Sequence, residues 1–323
     1  MTVLVVGGAG YIGSHTVKLL GREGFRAIVF DNFSSGRREL ARGREVITGD
    51  LADKASLRAV FEDYQIDSVL HFASLIQVGE SYRDPRKYYV QNLVNSLNLL
   101  EAMLDADVKN LIFSSSAAVY GIPQEVPIHE GHPLNPCNPY GKTKFMVEKI
   151  LQDYARAYGL RFISLRYFNA SGADPEGELG EMHDPETHLI PNILLTIAGK
   201  RPQLDIYGTD FPTPDGTAVR DYIHVTDLAA AHVLALRGLL AGQPSNFINL
   251  GANRGFSVLE IIRKAEEVTG RTVPCRTRPR REGDVPVLLA SKERAEQLLG
   301  WKIFHSEIEN IIETAWRWHQ KSI

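Results

Sequence analysis

The sequence predicts an α/β protein, with a doubly wound parallel sheet in its first half and a smaller mixed α/β lobe in its second. Short β-branched runs alternate with helix-length amphipathic segments to about residue 170, the pattern of a parallel sheet covered by helices on both faces. A glycine-rich turn follows the first run and opens the first helix. Beyond Asn169, a passage rich in Gly, Pro and acids (Ser171 to Pro185) breaks the alternation, and the later elements are shorter.

Thr2 to Val6 reads as the first strand, Gly7-Gly8-Ala9-Gly10-Tyr11-Ile12-Gly13 as the turn, and the stretch to about Arg22 as the first helix. Apolar runs at Ala27 to Phe30 and Val46 to Thr48 end at Asp31 and at Gly49-Asp50. Further strands are predicted at 68–72, 111–114 and 161–166, separated by helices at 54–64, 86–105 and 141–158. The second half predicts strands at 204–207 and 220–225 and helices at 189–199, 227–238, 257–269, 291–299 and 306–319. The boundary is placed near 172, giving domains 1–172 and 173–323, with the segment at about 219–225 a candidate to return to the first sheet.

With 323 residues, 44% apolar and 23% charged, the chain can bury a large core. Its 36 Lys and Arg against 39 acids leave a net charge of -3, so no global field favours nucleic acid or an anionic membrane. An anionic ligand must be held by locally placed cations. Cys137 and Cys275 are too few for a disulfide framework or a cysteine-rich metal site; no metal is expected, and a reducing cytoplasm is. No basic leader and no apolar stretch of ~18 residues is found, so neither export nor anchoring is expected.

The glycine turn is the first chemical signal. Gly7 allows a tight turn off the strand, Gly10 clears space for a pyrophosphate against the backbone, and Gly13 lets helix and strand pack closely. A lone glycine triplet is weak and fits a structural turn equally well. Here it lies between strand and helix, and Asp31 ends the next strand, where a carboxylate accepts from both adenosine ribose hydroxyls and repels a 2′-phosphate. That favours NAD over NADP and reads Arg37 and Arg38 as a solvated loop.

Tyr140-Gly-Lys-Thr-Lys144 is the second signal, with Ser116 ending the run Leu111-Ile112-Phe113 upstream. On a helix Tyr140 and Lys144 share a face, so an ammonium can sit beneath the phenol and favour its ionised form. A phenol titrates near pH ~10, and each unit of depression corresponds to roughly 1.4 kcal/mol, so a base near neutrality needs such help. By itself the pair is most simply a solvated helix face.

Gly7 to His15, Asp31-Asn32, His71-Phe72-Ala73, Ser114 to Gly121, Tyr140 to Lys144 and Arg166 to Asn169 together resemble the extended short-chain dehydrogenase/reductase family, with its Rossmann-type fold. Val78 to Ser81, Asp215-Gly216-Thr217, Val219 to Val225, Asn249-Leu250-Gly251 and Arg280 to Asp284 narrow the resemblance to the UDP-sugar 4-epimerases acting on UDP-glucose and UDP-galactose. The resemblance runs from about residue 3 to Trp318.

It implies a catalytic trio of Ser116, Tyr140 and Lys144, in which Tyr140 takes the C4 hydroxyl proton while hydride passes to NAD and a 4-keto sugar forms. The ketone turns about the diphosphate and accepts hydride on its other face. The resemblance places NAD against Gly7, Gly10, Tyr11, Ile12, Gly13, Asp31, Asn32, Asp50, Leu51, Phe72, Ala73, Gln91, Ser114, Tyr140, Lys144 and Phe168. It places the UDP-sugar against Ser116, Tyr140, Asn169, His188, Leu189, Tyr207, Arg220, Arg281, Asp284 and Leu288, with both arginines on the diphosphate. A homodimer through 86–105 and 141–158 is implied as well.

Several positions depart from the family pattern. Ile76 replaces a lysine near the cofactor, Gln91 the first of an Asn pair, with Asn92 as its partial substitute, and Ala118 a hydroxyl residue; His188 replaces an asparagine of some relatives. The resemblance implies that the position of Leu288 borders the C2 substituent, where leucine is intermediate between a tyrosine that excludes N-acetyl groups and a small residue that admits them. UDP-GlcNAc, UDP-pentose and UDP-glucuronate therefore stay open as substrates, as does a catalytically silent NAD-sensing protein.

Overall fold

A computed structural model describes residues 1–281 and 283–322. Its strands are β1 (Thr2–Val6), β2 (Arg26–Asp31), β3 (Glu45–Thr48), β4 (Ser68–His71), β5 (Asn110–Ser116), β6 (Arg161–Tyr167), β7 (Asn169–Ser171), β8 (Leu204–Tyr207), β9 (Val219–His224), β10 (Asn246–Leu250), β11 (Gly255–Ser257), β12 (Cys275–Arg278) and β13 (Val287–Leu288). Its helices are α1 (Tyr11–Arg22), α2 (Lys54–Asp63), α3 (Val78–Arg83), α4 (Pro85–Tyr88), α5 (Asn95–Asp105), α6 (Pro139–Tyr158), α7 (Leu189–Ile197), α8 (Val225–Leu240), α9 (Val258–Thr269), α10 (Glu293–Leu299) and α11 (Ile308–Ser322).

The main sheet runs β10-β6-β5-β4-β1-β2-β3, every pair parallel. Alternation along β1 divides the core, because successive side chains point to opposite faces. Val3 and Val5 join α1 and α8 residues such as Val17, Leu20 and Leu236 on one face, while Leu4 and Val6 join Leu57, Leu99, Met103 and Leu151 on the other. This is the predicted doubly wound sheet.

The second half departs from the expectation in its strands: β10 to β13 are not among those predicted, and the pairing of β9 differs. β9 does not return to the main sheet; it pairs with β7, β11 and β13 in a separate sheet. The return is made by β10, which pairs with β6, and by α8, which packs on α1. Apolar residues of α7, α9 and α11 form a third core around Ile193, Ile261 and Ile311. No helix among the described residues is long and apolar enough to cross a membrane.

Candidate active site

The chain leaves β1 at Gly7 with φ +79°. A Cβ there would stand 2.5 Å from the Ala73 nitrogen, and one at Gly13 would stand 2.4 Å from the Gly7 carbonyl oxygen, so close packing requires both glycines. Gly10 caps α1 without a side-chain acceptor, which leaves the first N–H groups and the positive end of the helix available to an anion. The Tyr11 hydroxyl donates to the Gly172 carbonyl oxygen at 2.6 Å and ties this turn to the chain just after β7, while Ile12 packs on the core below.

Asp31 is buried at the end of β2, where its carboxylate accepts from the Ala9 and Phe33 nitrogens at 2.9 and 2.8 Å. Burial pushes its carboxyl up from the ordinary range, and the two N–H donors pull it back. Asn32 donates to Asp50 at 2.7 Å beside buried Leu51, and Phe72 packs on the His232 ring beside Ala73. These groups share the carboxyl rim of β1 to β4, where open parallel sheets bind ligands. Gln91 is not brought to them. A π-helical stretch, Tyr89–Val94, leaves Gln91 exposed and bonded to Asn95, whereas Asn92 is buried and bonds both backbone groups of Leu75.

β5 ends at Ser116, whose hydroxyl accepts from the Ala118 nitrogen at 3.1 Å and caps a short turn. The next long helix, α6, is capped by Asn138, which accepts from the Gly141 nitrogen at 2.7 Å, and has Pro139 at its first position. A Cβ at Gly141 would stand 2.5 Å from the Ala118 carbonyl oxygen, so the helix start lies directly on the Ser116 turn. That contact brings Tyr140 beside Ser116, close enough for the serine to act on the phenol's pKa.

Lys144 shares a face of α6 with Tyr140 and lies over its ring. Its Nζ donates to the Ser114 carbonyl oxygen at 2.7 Å and stands 6.0 Å from the Tyr140 ring centroid. Burial pushes the Tyr140 phenol up, and Ser116 opposes that. Burial also pushes Lys144 down to about 7, against the pull of Glu148. The Ser114 hydroxyl bonds the Tyr167 hydroxyl. Beneath lies an ion pair that the sequence reading does not single out: Glu148 accepts from Arg166 at 2.6 and 2.9 Å and from the Ser115 and Ser164 hydroxyls at 2.7 and 2.9 Å. Its spacing of four residues from Lys144 on one helix is the signal that could have found it.

On the other side of the cleft, Arg281 stacks over Tyr207, 5.0 Å from the ring centroid, and pairs with Asp284 at 3.1 Å. Half-buried Arg220 on β9 is near enough to feel both Asp284 and Arg281, although burial is the largest influence and lowers its guanidinium. Strand pairing sets Leu288 opposite Arg220, and Leu288 and Phe168 pack on the same cluster of Val119, Tyr120 and Ile128. Asn169 donates to the Asp221 carbonyl oxygen at 2.9 Å. His188 caps α7 just before Leu189; burial pushes its imidazole down, but Glu181 and Glu186 overcome this and hold it up at about 10. Glu282, within the arginine motif, lies outside the described residues.

Asp221 is a further residue the sequence reading does not identify. Its buried carboxylate accepts from the nitrogens of Ala252, Asn253 and Ala290 at 2.7, 3.2 and 3.1 Å. One side chain thus fastens the turns after β10 and β13 to the strand that carries Arg220.

Residues 3–251 match the NAD dependent epimerase/dehydratase family. The chain belongs to that family. It is 50% identical over 321 residues to the UDP-glucose 4-epimerase of Lacticaseibacillus casei, covering 99% of this chain and 97% of that protein. Among solved structures, UDP-glucose 4-epimerase from Brucella ovis in complex with NAD superposes with a TM-score of 0.95 at 50% identity, covering 98% of this chain and 97% of that one. The Bifidobacterium longum UDP-glucose 4-epimerase in complex with NAD+ and UDP gives a TM-score of 0.95 at 39% identity, covering 99% and 98%. Both lobes of this epimerase/dehydratase family member therefore have counterparts of the same kind.

Proposed function

We propose that the chain is a UDP-glucose 4-epimerase that interconverts UDP-glucose and UDP-galactose with NAD as resident cofactor. The observation that carries this reading is the seating of Tyr140 on Ser116 at the rim of the main sheet, facing a second lobe that offers Arg220 and Arg281. The donor set fits NAD, since α1 begins uncapped at Gly10 and a carboxylate stands at the end of β2. Gly7, Gly10, Tyr11, Ile12, Gly13, Asp31, Asn32, Asp50, Leu51, Phe72, Ala73, Ser114 and Phe168 would hold it, with Asn92 in place of Gln91.

Bound NAD supplies a hydride acceptor that becomes the donor in the return step. Tyr140 takes the proton of the C4 hydroxyl and later returns one, and Ser116 shares that proton through its own hydroxyl. The neighbouring Ser116 favours the phenolate against the burial that opposes it. Lys144, fixed on Ser114, presents donors to the nicotinamide ribose. Arg220 and Arg281 hold the diphosphate, Tyr207 and Asp284 the uridine, and Asn169, His188, Leu189 and Leu288 border the sugar and its linkage. Because the grip falls on the nucleotide, the hexose is free to present its other face.

We further read the chain as a cytoplasmic homodimer. Val90, Val94 and Met146 are exposed on the packed helices at 85–105 and on α6, an apolar surface that suits a second copy, and both cysteines are free. The test is an absorbance scan of purified protein for bound NAD, with an equilibrium assay from either UDP-sugar. Convergence of both starting sugars on one mixture without added cofactor supports the reading; NAD-loaded protein inert toward both would overturn it.

A further inference from the structure

Between the cofactor turn and α7, one segment carries a cluster of which only His188 also borders the sugar in the reading above. The sequence reading, led by the scarcity of cysteine, expects no metal, but Glu181, His183, Glu186 and His188 each turn one donor atom to a common point, all within 4.8 Å of one another. Glu181 Oε1 lies 2.8 Å from His183 Nδ1 and 2.6 Å from His188 Nδ1. Glu186 reaches His188 Nδ1 at 3.1 Å and His183 Nδ1 at 4.0 Å. We propose that these four side chains bind a divalent first-row transition metal ion, of the Zn2+ class, which fastens residues 181–188 between the two lobes.

Charge argues for the ion. The Glu181 and Glu186 side chains are only 4% and 6% exposed, and among the described residues neither is paired with Lys or Arg. Two neighbouring buried carboxylates need two positive charges. The His183 and His188 rings, 5.2 Å apart, both turn Nδ1 to these carboxylates, so a single dication can take both imidazoles and both carboxylates as ligands and supply the two charges from one point.

Geometry agrees with the charge. Donors about 2.0–2.2 Å from a tetrahedral ion stand about 3.4 Å apart. One donor atom from each of the four residues lies within 4.8 Å of the others. The four carboxylate–imidazole approaches run from 2.6 to 4.0 Å, the two of Glu186 through different oxygens. Two imidazole nitrogens and two carboxylate oxygens suit zinc, manganese or cobalt better than magnesium or calcium. The surroundings point to a fastening role. The Tyr11 ring meets His183 edge-on, Arg37 donates to the Met182 carbonyl oxygen, Trp318 donates to that of Glu181, and His188 starts α7. An ion here joins the NAD turn, α11 and the substrate lobe through one short segment, and four protein ligands leave it no open position for catalysis.

The test uses the untagged full chain, treated with a chelator, desalted and titrated with Co2+ as the spectroscopic probe and then with Zn2+. The expected result is uptake of about one ion per chain, visible ligand-field bands of four-coordinate cobalt, and their loss on adding Zn2+. His183→Ala and the near-isosteric Glu186→Gln should each weaken uptake at least ~10-fold. The wild-type titration decides even where a variant folds poorly: no cobalt bands and no zinc uptake up to roughly 100 μM overturns the proposal. So does uptake that both folded variants leave unchanged. Because the readout is metal content and spectrum, its outcome is independent of epimerase turnover.

Discussion

The Lys144 ammonium donates to the Ser114 carbonyl oxygen at 2.7 Å, which fixes it 6.0 Å from the Tyr140 ring centroid. The lysine is thereby held by β5, the strand that ends at Ser116, so one strand positions two members of the trio. Ser116 acts to lower the Tyr140 phenol, and Lys144 lies over the Tyr140 ring.

This placement has a pH signature in protein stripped of NAD. Burial holds Lys144 at about 7, against 10.5 for an ordinary lysine. Between those values the unfolded chain binds more protons than the folded one, so stability attributable to this residue rises with pH across that window. Lys144→Met should abolish that component. Urea midpoints across the window measure it, and parallel profiles for the two proteins would contradict it.

The ion pair under the trio makes a separate prediction. Arg166→Met leaves Glu148 buried without its cation and should cost ~3–5 kcal/mol of unfolding free energy. The double variant Glu148→Gln, Arg166→Met should recover part of this loss. Denaturant unfolding of the three proteins provides the comparison, and a single variant as stable as wild type would refute the prediction.

Arg281 is exposed and stacked on Tyr207, so its removal disturbs little packing. Loss of a charged hydrogen bond to diphosphate is worth ~1.5–3 kcal/mol, so Arg281→Ala should raise KM for UDP-sugar about 10–100-fold and change kcat far less. Steady-state kinetics in both directions separate the two effects; an unchanged KM would remove Arg281 from the binding site.

Leu288 sits opposite Arg220 on the wall it shares with Phe168. Leu288→Ala should increase the use of UDP-GlcNAc relative to UDP-glucose by about 10-fold, and Leu288→Tyr should reduce it to a similar degree, since pocket size discriminates on that scale. Competing the two sugars in one reaction reads the ratio directly. Identical ratios in the three proteins would show that this wall does not border C2.

Local patterns made the first lobe legible: β1, the glycine turn, α1 and Asp31 follow in the order that periodicity and spacing indicate. β10 was missed as a strand, although Asn249-Leu250-Gly251 was noticed, because its pairing with β6 is a long-range event with no local mark. The assignment of β9 to a second sheet depends on partners as short as β11 and β13. In the same way, the helix predicted over 86–105 hides a π-helical stretch that leaves Gln91 exposed and Asn92 buried. Glu148, Arg166 and the 181–188 cluster were illegible for one shared reason. Charged residues in sequence read as solvated, and only tertiary packing reveals which are buried.

The most direct test of the central claim, that Tyr140 moves the proton of the sugar hydroxyl, is the kcat of Tyr140→Phe protein purified with NAD at wild-type occupancy. A phenyl ring keeps the packing and removes the proton acceptor, so kcat should fall by ~10²–10⁴ in both directions while bound NAD is unchanged. A kcat within a few-fold of wild type, with the same cofactor content, would contradict it.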